Sequence, residues 1–153
     1  MTKFLMVSYI GSRRNRAPWW SDQDWASAQR TNTEILPHYH KAKVEADEYL
    51  TAVAKRRVDR GDSDFRCIIL RPGSLTDVEA QGKVRLGKTS STGSIPRADV
   101  AAVAVELLER DNAHGWYDLL EGNDTIAEAV DQVIEESVDC IEGEDLDAIH
   151  AKI

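Results

Sequence analysis

Two stretches of the chain are apolar on both faces. KFLMVSYI (3–10) runs up to Gly11, and FRCIILRPG (65–73) carries Phe65, Cys67, Ile68, Ile69 and Leu70 before Pro72-Gly73 end it. Unbroken apolar runs of this length, without alternation, predict buried strands of a parallel sheet. Between them, KAKVEADEYLTAVAKRRV (41–58) places Ala42, Ala46, Leu50, Val53 and Ala54 at helical spacing, with charge on the other face. Gly61 supplies a stop. Strand, helix, strand in this order is a βαβ unit. The alternation continues with an apolar helix over 97–110, started near Ser94 and Pro96, a short strand over 115–120 and an amphipathic helix over 125–136. Two long connections, 11–38 and 74–94, are expected to be functional or mobile loops. Ser21-x-x-Asp24 inside the first has the form of a capping box and predicts a short helix.

Size and charge narrow the picture. The 153 residues suggest one domain, 1–153, with an acidic tail over 137–153 expected to be solvated and partly helical. Lys plus Arg number 19 against 27 Asp plus Glu, a net charge of −8, which argues against nucleic acid or an anionic membrane as a partner. Cys67 and Cys140 are far apart and suggest neither a disulfide framework nor a zinc site. The expected setting is cytoplasmic and the expected partner a small molecule of unknown identity.

Ligands of open parallel sheets bind beyond the carboxyl ends of the strands. That edge collects Ser8, at the carboxyl end of the first strand, and Arg71-Pro72-Gly73, at the carboxyl end of the second. A helix following a parallel strand begins near the same edge, so Tyr39 and Lys43 belong there too. They are spaced i, i+4 and project from one helix face. A nearby ammonium lowers the pKa of a phenol from its usual value of about 10, making a general acid or base at a carbonyl or hydroxyl. The plainer alternative is that Tyr39 packs while Lys43 pairs with Asp47.

Taken together and in order, FLMVSYIG, YHKAKVEADEYL, CIILRPGSLTD, GKVRLG and SIPRADVAAVAVELL resemble the second half of an atypical short-chain dehydrogenase/reductase, related to nucleotide-sugar epimerases. The resemblance spans about 3–135. It implies an α/β fold: a partial Rossmann-like, doubly wound parallel sheet that binds NADP or NAD. It also implies that Ser8, Tyr39 and Lys43 occupy catalytic positions. Lys43 and Ser8 would touch the cofactor, and Arg71, Pro72, Gly73 and Ser74 would run beside the nicotinamide. The family opens with a strand, a Gly-rich turn and a helix that holds the pyrophosphate. No such segment occurs in these 153 residues. The expectation is therefore the carboxyl-terminal portion of an oxidoreductase-type protein with weak cofactor binding on its own. The alternative is a non-catalytic cofactor-binding or scaffold fragment.

Three further patterns compete. GKVRLGKT (82–89) matches the phosphate-loop spelling, but polar TDVEAQ precedes it and Gly93 and Pro96 follow, so no strand-loop-helix context surrounds it. A short hairpin or lid is expected there. His38-x-His40 lies in a helix with no third ligand evident, so no metal is expected. Trp19, Trp20 and Trp25 are expected to pack the long loop onto the core, and Arg97 and Asp99 to form a local cap and surface pair.

Overall fold

The computed structural model describes all 153 residues. In chain order they form β1 (Lys3–Val7), α1 (Asp22–Arg30), a π-helical turn (Thr31–Ile35), α2 (Pro37–Asp59), β2 (Arg66–Pro72), β3 (Ser74–Thr76), β4 (Lys83–Gly87), β5 (Ser94–Pro96), α3 (Arg97–Glu109), β6 (Gly115–Glu121), β7 (Asp124–Thr125), α4 (Ile126–Glu135) and α5 (Leu146–His150). The main sheet has the order β1-β2-β6-β4-β7. β1 and β2 are parallel neighbours with Leu5 opposite Ile68, and β6 lies parallel to β2 with Tyr117 opposite Leu70. β3 and β5 form a separate parallel pair.

The two long apolar runs are thus the predicted parallel strands, and the sheet is wound on both faces. Alternate residues of β2 point opposite ways. Ile68 and Leu70 join Val103 and Leu107 of α3 and Val130 and Val133 of α4 in the larger core. Ile69 turns the other way, toward Trp116, Cys140 and Leu50 of α2. Helix α2 starts earlier than the periodicity indicated because Pro37 occupies its first turn, where a missing N–H costs nothing. The capping box at Ser21 and Asp24 is present on both sides.

Three expectations need correction. Residues 82–89 are not a lid: Lys83–Gly87 form β4, antiparallel to β6 and β7 within the main sheet, with Val84 fully buried. The tail is not simply solvated, since Cys140 and Ile149 are buried. It is tied to the start of the chain by Arg13, whose guanidinium donates to the Cys140 and Glu142 carbonyls and pairs with Glu144 at 3.2 Å. Asp99 does not cap its own helix. It accepts from the Gln81 and Gly82 amides and pins the turn into β4, while Arg97 pairs with Asp77. The tryptophans do pack the loop: Trp20 is buried with Ile10 and Ala17, and Trp19 and Trp25 lie against them.

Arg71 lies at the centre of the molecule with no exposed surface. Its Nε donates to Asp118 at 2.7 Å, Nη1 donates to the Ser12 carbonyl at 2.7 Å, and Nη2 donates to the Ile10 carbonyl at 2.8 Å. Asp47 of α2 lies 3.4 Å from Nη1, and the Trp116 ring stacks at 4.4 Å. Removing one member of a buried ion pair leaves an uncompensated charge and costs about 3–5 kcal/mol. We therefore expect Arg71→Ala to lower the unfolding free energy by about that much in denaturant titrations. A surface change such as Arg30→Ala, at a pair 3.9 Å apart and exposed on both sides, should lower it by less than about 1 kcal/mol.

Candidate functional site

A cavity of about 490 Å³ opens at the carboxyl edge of β1 and β2. Ser8, Tyr9 and Ile10 form one wall and Pro72, Gly73 and Ser74 another. Ala28, Thr31 and Asn32 close a third side, Tyr39 enters from the first turn of α2, and Ser91, Thr92 and Gly93 form a fourth, with Arg97 beside them. The strand ladder sets the first two walls: the Ser8 amide donates to the Leu70 carbonyl at 2.7 Å, and the Ile10 amide to Pro72 at 3.1 Å. At residue 73 the chain passes so close to Gly93 that an added Cβ would lie 2.6 Å from the Gly93 carbonyl oxygen. Only glycine lets these two segments meet there.

The predicted residues divide. Ser8, Tyr39, Pro72, Gly73 and Ser74 line this one cavity. Arg71 does not, because the ion network encloses its side chain. Its sequence position at the end of an apolar run pointed outward, but the alternation of the strand turns it into the protein. Lys43 stands at the end of β1, where its ammonium donates to the Val7 carbonyl at 3.1 Å and lies 5.5 Å from the Tyr39 ring centre. It does not pair with Asp47.

The expected lowering of the Tyr39 pKa is not what the structure produces. Partial burial of the phenol raises its pKa, and the Asp47 carboxylate raises it further. The Lys43 ammonium lies over the ring and is engaged by Val7, so it does not offset these effects. Tyr39 is therefore a phenol at neutral pH and arrives at the cavity with a proton to give. Its ring packs at 5.0 Å from that of Tyr9.

Several site groups carry no motif in the sequence. Tyr9 donates to Asn32 Oδ1 at 2.8 Å, and the amide of Asn32 donates to the Gly11 carbonyl at 2.9 Å, which fixes how the carboxamide is turned. With its hydrogen committed, the Tyr9 oxygen accepts from His40 Nδ1, 2.9 Å away. Burial pushes the Tyr9 pKa up and the His40 pKa down, so both are neutral. Asn32 sits in the π-helical turn, a distortion found often at functional sites. Ser8 donates to Asp47 Oδ2 at 2.7 Å. Asp47 was findable in principle: it lies two turns past Tyr39, an acid on the helix face that must meet the sheet. Asp24 holds the loop that carries Ser91, Thr92 and Gly93 into the lining, accepting from the Ser90 and Ser91 hydroxyls and the Ser91 amide. No group of three or more His, Cys, Asp or Glu side chains has the geometry to hold a metal ion.

Residues 1–111 match the sequence profile of a family described as NAD(P)H-binding. The chain belongs to this family. It is 30% identical over 132 residues to the UPF0659 protein C216.03 of Schizosaccharomyces pombe, a match covering 84% of this chain and 50% of that one. It is 32% identical over 129 residues to the uncharacterized sugar epimerase YhfK of Bacillus subtilis, covering 84% and 49%. Among solved structures it superposes on the oxidoreductase YlbE of Lactococcus lactis with a TM-score of 0.61 at 26% identity, over 86% of this chain and 52% of that chain. The chain therefore spans about half the length of the curated relatives it matches.

The cavity fits part of a nicotinamide cofactor. Its wall of hydroxyls and exposed backbone suits a carboxamide ring and a ribose. It does not suit the pyrophosphate. The only arginine in the lining, Arg97, is paired with Asp77 at 2.6 Å, and no Gly-rich strand-turn-helix is present. The clamp at Asp24 is testable without any ligand. Asp24→Ala removes the acceptor for the Ser91 amide, and that amide should exchange with solvent at least about tenfold faster, while amides of β2 stay unchanged.

Proposed function

We propose that these residues form the nicotinamide- and substrate-facing portion of an NAD(P)H-dependent enzyme of the atypical short-chain dehydrogenase/reductase type, oxidoreductase- or epimerase-like in its chemistry. One observation carries the reading. Ser8, Tyr39 and Pro72-Gly73-Ser74, drawn from three separate parts of the chain, line a single cavity at the carboxyl edge of a parallel sheet. Family membership and the similarity to an oxidoreductase and to a sugar epimerase support it.

A nicotinamide held in this cavity would supply the hydride chemistry. The remaining work belongs to this chain. Pro72, Gly73 and Ser74 would flank the ring, and Lys43, at the end of β1, would hold the ribose. Tyr39, kept as a phenol, gives its proton to a carbonyl oxygen as that oxygen becomes an alcohol, the part of a general acid. Arg71 serves from behind, holding Ile10 and Ser12 so that the first wall keeps its shape. Two free cysteines fit a cytoplasmic setting, and a small molecule fits the cavity as substrate.

Two measurements test this reading. A pyrophosphate site contributes charge-assisted hydrogen bonds worth about 1.5–3 kcal/mol each, and two of them equal roughly two to four decades of affinity. These 153 residues alone should bind NADH or NADPH no tighter than high micromolar by calorimetry, and a submicromolar constant would contradict the proposal. In a fusion that supplies a Gly-rich strand-turn-helix portion ahead of Met1, Tyr39→Phe should lower turnover by about two to four decades with cofactor affinity nearly unchanged. Lys43→Ala should weaken both. An active fusion in which Tyr39→Phe is silent would make the pair structural and favour a cofactor-binding scaffold.

A further inference from the structure

A second cavity, of about 510 Å³, opens at the opposite, amino edge of the sheet, where β2 and β6 begin. Its volume lies in the range of small-molecule sites. It shares no residue with the cavity at the carboxyl edge. Its apolar surface comes from three parts of the chain: Val58 of α2, Phe65 and Trp116 at the strand ends, and Ile141 and Leu146 of the tail. The tail therefore closes a space that α2 and the sheet leave open.

The polar part of this lining is unfinished. Arg66 faces the cavity from the first position of β2 and forms no ion pair, whereas Arg71, Arg97 and Arg110 each meet a carboxylate. Its Nη1 donates to the Ser63 carbonyl at 2.7 Å and to the Phe65 carbonyl at 3.2 Å. Its Nε is enclosed and donates to nothing, and Nη2 closes no hydrogen bond within the chain. A buried donor without an acceptor is costly and calls for a missing partner. Nε and Nη2 form one edge of the guanidinium, an edge that can meet a carboxylate with two parallel bonds. Lys55, also in the lining, is already spent on Asp59 at 2.6 Å. The one carboxylate of the lining, Asp139, turns Oδ1 to the Trp116 and Ile141 amides, and burial raises its pKa, which weakens its repulsion of an anion.

We propose that this amino-edge cavity binds a small carboxylate with an apolar, ring-sized body. The carboxylate pairs with the free edge of Arg66, and the body lies against Phe65, Trp116, Ile141 and Leu146. The site goes beyond the proposed function, since it lies at the other end of the strands and needs neither a nicotinamide nor Tyr39.

Three probes of one shape decide the matter: 3-phenylpropionate, 3-phenylpropan-1-ol and 3-phenylpropan-1-amine, titrated at neutral pH into the full chain while the indole N–H resonances are followed by NMR. Trp116 Nε1 donates to Thr51 Oγ1 at 3.0 Å, and both residues line the cavity. The Trp20 indole, bonded to the Thr89 carbonyl, lies outside the lining and is the control. 3-Phenylpropionate should shift the Trp116 resonance to saturation and bind about tenfold or more tighter than the alcohol or the amine, as expected for a charge-assisted pair. Arg66→Gln keeps a donor for the Ser63 carbonyl. It should bring the carboxylate to within about twofold of the alcohol and leave the alcohol unchanged. Ala54→Phe fills the space from a half-buried position of α2 and should abolish the Trp116 response to all three probes, with the Trp20 resonance unmoved as the sign of an intact fold. A Trp116 resonance that no probe moves overturns the proposal. So does an alcohol or amine that binds as tightly as the carboxylate, or a carboxylate preference that survives Arg66→Gln.

Discussion

The guanidinium of Arg71 is the constraint on which the other parts of the molecule depend. It sits in a strand whose neighbours are apolar, and its burial is tolerable only because every direction around it is occupied. Asp118 takes Nε from the adjacent strand, carbonyls of Ile10 and Ser12 take the outer nitrogens, and Trp116 covers a face. These contacts join β2 and β6 to the loop after β1, and Asp47 brings α2 to the same point. The two carboxylates exceed the one central cation in charge, so burial and mutual repulsion raise the pKa of Asp118. One oxygen on each, Asp47 Oδ1 and Asp118 Oδ2, has no hydrogen-bond partner. A core held in this way gives little stability over an apolar one of the same shape, because desolvation offsets most of the attraction. What it provides is geometry. The loop that forms the first wall of the cavity cannot shift without stranding a buried charge.

That geometry explains why the parts legible in the sequence stop where they do. The two apolar runs, the helix between them and the right-hand helices were evident because each is a local pattern of period or length. β4 was harder. Val84 and Leu86 alternate with Lys83 and Arg85 in the manner of a half-covered strand, but four residues between Gly82 and Gly87 also spell a phosphate loop or a lid. Only pairing with β6, more than thirty residues later, decides between them. The packing of the tail is hidden in its sequence because acids dominate its composition, while its buried residues Cys140 and Ile149 are single positions without periodicity.

The site was legible to the same depth. Topology alone brought Ser8, Tyr39 and the residues after β2 to one edge. The state of each group was not legible, because a pKa or the direction of a hydrogen bond depends on atoms a few ångströms away. Lys43 is one turn from Tyr39 in the helix, and spacing suggested that its charge would reach the hydroxyl. The helix instead aims the ammonium at the end of β1, where a carbonyl without a ladder partner is available to it. Arg71 has partners 24 and 47 positions away, and nothing in the local sequence marks them.

The open flank of the sheet bears on how such a portion of a fold works. β1 pairs only with β2, and Phe4 and Val7 are about 40% exposed. A parallel strand is ordinarily covered on both sides, and an uncovered apolar edge invites further pairing. The cavity opens at the carboxyl edge of β1 and β2, and Arg71 ties the loop of its first wall to β6 and α2 through Asp118 and Asp47. That wall is therefore set by this chain's own core. Affinity for a dinucleotide depends on a phosphate site that these residues do not contain. The cavity and a phosphate site are separable in this architecture, because two different parts of the Rossmann plan supply them.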